Sequence, residues 1–410
     1  MAQRAQPLRR LEWLSRHMWA VIGTATVLFV VPSLLQWVFT GTLIIGDFLD
    51  VTVYQAGGIA LLNGESLYQG GLPVGGGREF PFTYPPFAAA VFTPLSFIPQ
   101  WACTALVIPV HLALLVTVVR KCLRLSDTSV LPANQTRRAT AALTAILFLM
   151  EPITWTMWLG QINLVLLAVV LFDLTRSSRW AGIGTGLAAG LKLTPGLFMV
   201  YLLFVRRFYA AATAAAAAAT TIGVGFVIAP DASTRYWSGV FLDNTRFEPT
   251  DSPANLSISG LLARLLGTGE PQRILWLLIA IVVAVVALAL ADKAHADGRV
   301  LLGLTVTGLA TSAVSPFSWS HHWVWLAPLG IIAILGAPRM LLAPLAVLTF
   351  AWPMHIILGL NMGYPVLGIS ALPPWHGLEL VYDNSYLICF LATLIAIWRT
   401  QHQHHAALQT

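Results

Sequence analysis

Charge is scarce in this chain: Asp, Glu, Lys and Arg together make up 10% of its 410 residues. A soluble domain carries about one quarter, so a water-facing surface of ordinary extent is excluded. Disorder is excluded as well, because 57% of the residues are hydrophobic and disordered chains combine low hydrophobicity with high charge. Cysteine is almost missing. Cys103, Cys122 and Cys389 stand alone, with no CxxC pair and no metal-ligand spacing, and read as small apolar fillers. The sequence also lacks a P-loop and the glycine fingerprint of a dinucleotide fold, and no Ser-His-Asp spacing can be read from it.

What it has is apolar runs. A helix that crosses a bilayer needs about 20 apolar residues, and fewer inside a bundle. Candidate runs lie at 18–40, 101–119, 139–158, 163–175, 181–192, 195–205, 208–228, 273–291, 300–316, 323–338, 340–355 and 385–398. They predict an all-α polytopic membrane protein of about twelve transmembrane helices, with residues 1–410 forming a single integral membrane domain. The runs 181–192 and 195–205 read equally as one broken helix. Pro85, Pro86, Pro94 and Pro99 make 85–98 a short interfacial hairpin. The first run is long and lacks a small-residue cleavage site, so it reads as a retained helix and not as a cleaved signal.

The net charge of +6 could suggest a nucleic-acid partner, but its distribution says otherwise. With the N-terminus in the cytoplasm and sides alternating, 17 of the 23 basic residues fall inside; Arg78, Lys192, Arg235, Arg246, Arg264 and Arg273 remain. That asymmetry is the positive-inside signal of a plasma-membrane protein, with no nucleic acid implied. The C-terminus then lies inside too, and its histidines (His402, His404, His405) read as a solvated tail. The longer loops fall outside: 41–100, a first extracytoplasmic loop with interfacial helices, then 229–272 and 352–384. Loops over a rigid scaffold are where binding and catalysis concentrate.

Five stretches carry polar chemistry. Asp50, in Gly46-Asp47-Phe48-Leu49-Asp50-Val51-Thr52-Val53-Tyr54, is a carboxylate at the membrane edge. It reads equally as a functional acid and as the N-cap of a helix running to Leu62. Phe80-Pro81-Phe82-Thr83-Tyr84-Pro85-Pro86-Phe87 is either an aromatic belt anchor or a wall of a lipid or sugar site. Gln161 and Asn163, after Trp158-Leu159-Gly160, either satisfy a turn or face sugar hydroxyls. Glu151, within a span, needs a partner. Lys192, before Leu193-Thr194-Pro195, would cost about 2.5–3.5 kcal/mol in mid-bilayer, and the Thr-Pro pair marks a helix break. Trp319-Ser320-His321-His322-Trp323 pairs imidazoles that suit a phosphate or a carboxylate better than a metal, since no HxxxH spacing supplies further ligands.

Along these residues the chain resembles glycosyltransferase family 87, a group of GT-C-type membrane mannosyltransferases and arabinofuranosyltransferases that use polyprenyl-phosphate sugars. The likeness runs in order through Asp50-Val51-Thr52-Val53-Tyr54 with Gly64-Glu65-Ser66-Leu67-Tyr68, and Phe82-Thr83-Tyr84-Pro85-Pro86-Phe87. It continues through Gly160-Gln161-Ile162-Asn163, Leu191-Lys192-Leu193-Thr194-Pro195, and Ser315-Pro316-Phe317-Ser318-Trp319-Ser320-His321-His322-Trp323. Each motif is weak alone, and five in order are specific. The C-terminal third, with Pro373-Pro374-Trp375-His376, matches no family motif.

The resemblance implies an inverting transferase that moves mannose from polyprenyl-phosphate-mannose to a lipid-linked mannoside in phosphatidylinositol mannoside synthesis, forming an α-1,2 linkage. It implies Asp50 as the base, with Asp47 a neighbouring competitor. His321, His322 and Lys192, with Arg78 more remotely, are the candidates to stabilise the departing phosphate. Tyr54, Tyr84, Gln161, Asn163 and Trp319 would shape the sugar pocket. The partners are a lipid-linked sugar donor and a glycolipid acceptor, and no metal or other cofactor is called for. An arabinofuranosyltransferase of the same fold is the rival enzyme. A secondary transporter is the rival from another class, disfavoured by the absence of an internal repeat.

Overall fold

The computed structural model describes residues 2–41, 48–126, 131–242, 248–336, 341–350, 369 and 377–408. Asp47 and Pro373-Pro374-Trp375-His376 lie outside them, as do the side chains of His402, His404 and His405. The chain forms two compact units that alternate along the sequence. One comprises Met1–Ile45, Leu115–Trp155 and Asp251–Thr410; the other comprises Gly46–Leu114 and Thr156–Thr250.

The first unit opens with α1 (Ala2–Arg16) and α2 (Met18–Thr40), both of which pack on α6 (Ala133–Phe148). Phe29 of α2 meets Phe148 of α6 edge to face, with ring centroids 4.8 Å apart. After α6 the chain turns by 80° into α7 (Glu151–Leu159), so the expected span at 139–158 is a broken one. Glu151 opens α7 fully buried, and its Oε2 lies 3.4 Å from the backbone N–H of Ile369. The rest of this unit is α13 (Ile258–Leu266), α14 (Arg273–Ala296), α15 (Val300–Val314), α16 (Leu326–Leu335), α17 (Leu342–Phe350), α18 (Glu379–Tyr382) and α19 (Ser385–Leu408). α14 and α15 form a close hairpin, and α15 packs on α16 and α19. Gly308 permits one such approach: a Cβ there would lie 2.2 Å from the Trp325 ring.

The second unit is organised around α3 (Leu49–Asn63), whose residues Val51, Val53, Tyr54, Ala56 and Ala60 are buried. The helix starts two residues earlier than expected. Phe48 is its N-cap, and Asp50 sits in the first turn, where a negative charge complements the helix dipole. Two glycines of α3 admit their neighbours. A Cβ at Gly57 would stand 2.3 Å from Phe82, and one at Gly58 2.9 Å from the backbone of Thr93. Phe82 and α4 (Pro86–Phe92), with the 3-10 turn Thr93–Phe97, therefore lie flat on α3. Between them is a feature that the all-α expectation does not contain, an antiparallel hairpin of β1 (Leu72–Gly75) and β2 (Arg78–Phe80). Its turn runs through Gly75, Gly76 and Gly77, all at positive φ, a conformation that costs glycine little. Strands of three and four residues leave no periodic signal to read.

Further along come α5 (Gln100–Leu125), α8 (Asn163–Leu174), α9 (Ile183–Leu191), α10 (Leu197–Phe204), α11 (Phe208–Ile228) and α12 (Pro230–Ser238). The expected spans at 181–192 and 195–205 are α9 and α10, separated by an extended Lys192 and the 3-10 turn Thr194–Gly196. Asp173 of α8 holds the start of α9: its Oδ2 accepts from the backbone N–H of Gly182 and Thr185 and from the Thr185 hydroxyl, at 2.8–2.9 Å. α9 then lies on α11 through Gly182, Gly186 and Gly190, four residues apart. Cβ atoms there would reach to within 2.2 Å of the Ala210 and Ala214 carbonyls and 2.1 Å of the Thr221 hydroxyl. Small residues at this spacing let helices touch backbone to backbone in lipid, where packing replaces the hydrophobic drive.

Among the described residues, Met18–Phe39, Gln100–Leu125, Phe208–Ile228 and Arg273–Ala296 are long and apolar enough to cross a bilayer, and the bent pair α6–α7 makes a fifth. Asn163–Leu174, Thr194–Phe204, Val300–Val314, Leu326–Leu335 and Ser385–Thr400 are shorter apolar helices. The protein is a mostly helical membrane protein of several spans.

The glycine contact gives a paired prediction. Gly186→Ala overpacks the α9–α11 contact and should cost about 1–3 kcal/mol, read as a drop of several degrees in Tm in detergent. Gly223→Ala, on α11 with nothing within 4 Å of its Cβ position, should leave Tm unchanged or raise it.

Candidate functional site

The polar residues singled out in the sequence, where described, gather mainly at two places, one in each unit. In the second unit, Gly160 at φ 72° turns the chain out of α7, and its missing Cβ leaves room for Val51 of α3 at 3.0 Å. Gln161 is thereby pressed against α3, 4% exposed. Its Oε1 accepts from Tyr54 at 3.1 Å and from Tyr84 at 3.2 Å, and the two hydroxyls lie 2.9 Å apart. The Tyr54 hydroxyl also accepts from the backbone N–H of Ile162 at 3.1 Å. Around this knot the rings interlock: Tyr54 stacks on Phe92 at 4.4 Å and meets Tyr84 edge to face at 5.2 Å. Tyr68 donates to the Tyr84 carbonyl at 2.7 Å. Burial pushes both the Tyr54 and the Tyr84 hydroxyl well above the ordinary tyrosine range, and the negative charge of Asp50 adds to this. Both therefore remain proton donors at any physiological pH.

Lys192 reaches the same neighbourhood from the break after α9. Its Nζ donates to Asn163 Oδ1 at 2.9 Å and stands 5.7 Å from the centre of the Tyr84 ring. Asp50, partly buried, acts electrostatically on Lys192 as on Tyr54 and Tyr84. Four separate stretches of sequence thus bring Asp50, Tyr54, Tyr84, Gln161, Asn163 and Lys192 together. Arg78 is exposed on β2, 5.9 Å from the Phe80 ring. Sequence reasoning missed His111, a buried residue of α5 whose Nε2 lies 2.9 Å from the Gln161 carbonyl. An ionisable residue in the middle of an apolar helix was the available signal.

The second cluster lies in the first unit, on the 3-10 turn Ser320–Trp323. The ring of Trp319 lies nearly parallel to His321, at 5.8 Å, and perpendicular to His322, at 5.5 Å; the two imidazoles are 4.7 Å apart at 90°. His321 is 5% exposed and His322 partly buried. Trp323, fully buried, anchors the turn against Tyr386 and Phe390. The Ser312 hydroxyl donates to the His322 carbonyl at 3.0 Å.

What holds this turn from the other side is Asn255, fully buried and unnoticed in the sequence. Its Oδ1 accepts from the Ser318 N–H at 3.2 Å and from the Ser257 hydroxyl at 2.8 Å, and its Nδ2 donates to the Pro316 carbonyl at 3.4 Å. The Leu256 N–H adds a bond to the Ser318 carbonyl at 2.8 Å. Arg264 then donates to the Ser252 and Asn255 carbonyls and to Asn384 Oδ1 at 2.6–3.0 Å. Beside it, burial raises the Asp383 carboxyl to about 6, with Arg264 opposing that shift. Only the fold brings residues 252–264, 315–323 and 383–384 together.

The molecule is thus a membrane protein in which these polar groups collect at helix ends and breaks. The chain belongs to glycosyltransferase family 87, whose sequence pattern matches residues 82–316. Tyr84, Gln161, Asn163 and Lys192 lie inside that stretch, whereas Asp50, Tyr54, Arg78, Trp319, His321 and His322 lie outside it. The chain is 33% identical over 383 residues to the polyprenol-phosphate-mannose-dependent alpha-(1-2)-phosphatidylinositol pentamannoside mannosyltransferase of Mycolicibacterium smegmatis, covering 90% of each chain. It is 34% identical over 311 residues to the polyprenol-phosphate-mannose-dependent alpha-(1-2)-phosphatidylinositol mannoside mannosyltransferase of the same organism, covering 71% of this chain and 70% of the relative. It is also 32% identical over 361 residues to a pentamannoside mannosyltransferase of Mycobacterium tuberculosis, covering 85% and 80%. No solved structure matches the chain significantly.

Two predictions come from the second cluster. Asn255→Ala strands the buried Ser318 N–H and should cost about 1–3 kcal/mol, lowering Tm in detergent; Asn134→Ala, at an exposed position, should not. The raised Asp383 pKa means that the folded state holds a proton which the unfolded state releases near pH 4. Stability should therefore fall as pH rises from about 4 to about 6, and Asp383→Asn should flatten that part of the Tm–pH curve.

Proposed function

We propose that the protein transfers mannose from polyprenyl-phosphate-mannose to a phosphatidylinositol mannoside and forms an α-1,2 linkage. The observation that carries this is the likeness, over nine tenths of both chains, to an enzyme named for that donor, linkage and acceptor class. The reading includes a GT-C-type scaffold of about twelve spans in the plasma membrane. The bias of basic residues favours both termini in the cytoplasm and an extracytoplasmic active site.

A β-linked donor that gives an α-linked product reacts with inversion, in one displacement. The acceptor hydroxyl attacks C1 of mannose, the bond from C1 to the phosphate oxygen breaks, and the hydroxyl proton passes to a base. Asp50 is that base: it is a carboxylate in the first turn of α3, within the electrostatic reach of Lys192. The departing polyprenyl phosphate gains negative charge, which preorganised donors and cations stabilise. Lys192 takes this role in the second unit, and Arg78, exposed on its hairpin, is the more remote candidate there; His321 and His322, in the first unit, are candidates by their sequence motif. Tyr54, Tyr84, Gln161 and Asn163 form a rigid polar wall for the sugar; Trp319, in the first unit, is an aromatic candidate by its sequence motif. The scheme needs no metal and no further cofactor.

The test is transfer of radiolabelled mannose by purified protein from the polyprenyl-phosphate donor to extracted phosphatidylinositol mannosides, resolved by thin-layer chromatography. Asp50→Asn should lower kcat by about a hundred- to ten-thousandfold with the Tm preserved; near-native turnover removes Asp50 as base. His321→Ala and His322→Ala, compared separately, identify the imidazole that serves the phosphate. Transfer of arabinose but not mannose would replace the donor assignment.

A further inference from the structure

Away from both clusters, the first unit contains a cavity of about 700 Å³ bordered by α1, α6 and α16. Its polar side is formed by Gln6, Arg9 and Arg10, with Trp13 beside them, and its apolar side includes Ile146 and Ile334. Arg10 is fixed in place: its Nη1 donates to the Ile334 carbonyl at 2.8 Å and to the Ala333 carbonyl at 3.4 Å, where α16 ends. Those bonds use one nitrogen of a fork that carries five donors. Arg9, next along α1, is exposed. Glu12, the acid of this helix, faces Arg16 at 3.5 Å and does not line the cavity. Among the described residues, two guanidinium groups thus border one cavity whose lining includes no carboxylate. Trp13 and Trp19, 53% and 78% exposed, mark this part of the chain as headgroup depth, where tryptophan accumulates.

We propose that this cavity binds the headgroup of an anionic glycerophospholipid, its phosphate on Arg9 and Arg10 and its glycerol and upper acyl carbons against Ile146 and Ile334. A free phosphate ion would use the arginines and leave the apolar wall without an occupant, so the two-faced lining selects an amphiphile. Each basic residue near an anionic membrane surface contributes about 1 kcal/mol, or about fivefold in affinity. The site lies within one unit and is independent of the transfer chemistry.

The full chain, purified in detergent, is titrated separately with phosphatidylglycerol, phosphatidylcholine and inorganic phosphate. Tm and native mass spectrometry report binding. Phosphatidylglycerol should be retained at one per chain and raise Tm, phosphatidylcholine and inorganic phosphate should do neither, and Arg9→Gln should weaken retention about fivefold while Arg9→Lys keeps it. Arg10→Gln should weaken it too. Because that change also removes the bonds to α16, Arg9→Gln, at an exposed position, decides the matter if the Arg10 variant does not fold. Equal retention by wild type and Arg9→Gln, equal binding of the zwitterionic lipid, or the same Tm rise with inorganic phosphate alone would overturn the assignment.

Discussion

The side-chain oxygen of Gln161, shared by the hydroxyls of Tyr54 and Tyr84, fixes the polar half of the second unit. Three contacts among these groups compete for two hydroxyl protons, so the knot works only as a unit. In a low-dielectric interior a hydroxyl without a partner costs about twice what a formed hydrogen bond returns. Tyr54 belongs to α3, Tyr84 to the proline-flanked segment and Gln161 to the turn before α8. Their mutual satisfaction therefore sets the positions of Asp50 on α3 and of Asn163, the acceptor of Lys192. The glycines at 57 and 160 make the knot possible by letting Phe82 and Val51 come close.

The histidine turn follows the same logic with different atoms. Asn255 ends the hydrogen-bonding needs of the Ser318 N–H and the Pro316 carbonyl, and Trp323 fills the core below. In a membrane scaffold, where apolar contact gains little over lipid, polar bonds of this kind and close glycine packing take over much of the work of specifying a loop. In this chain the consequence is that Trp319 and the two imidazoles are held in fixed mutual orientation by a short 3-10 turn.

Much of this was legible in the residues. The apolar runs at 18–40, 101–119, 208–228 and 273–291 are single long helices, because a run of that length and composition has one stable form in a bilayer. The break at Lys192 was legible from Thr194-Pro195. The hairpin at 72–80 was not, since three- and four-residue strands show no alternation. Asn255 and His111 were not, because a single polar residue in an apolar stretch states a need without naming its partner.

Composition and periodicity alone determined that this chain lives in a membrane, where its long apolar helices run and which residue types could do chemistry. Those properties are sums over local residues, and each stretch carries its own share of them. Which carbonyl Arg10 binds, which amide receives Lys192 and which asparagine steadies the histidine turn was decided only by tertiary structure. Those pairings join residues separated by 29 to more than 300 positions, and the partner of a buried polar atom is whichever one the packing of glycines and aromatic rings leaves within reach.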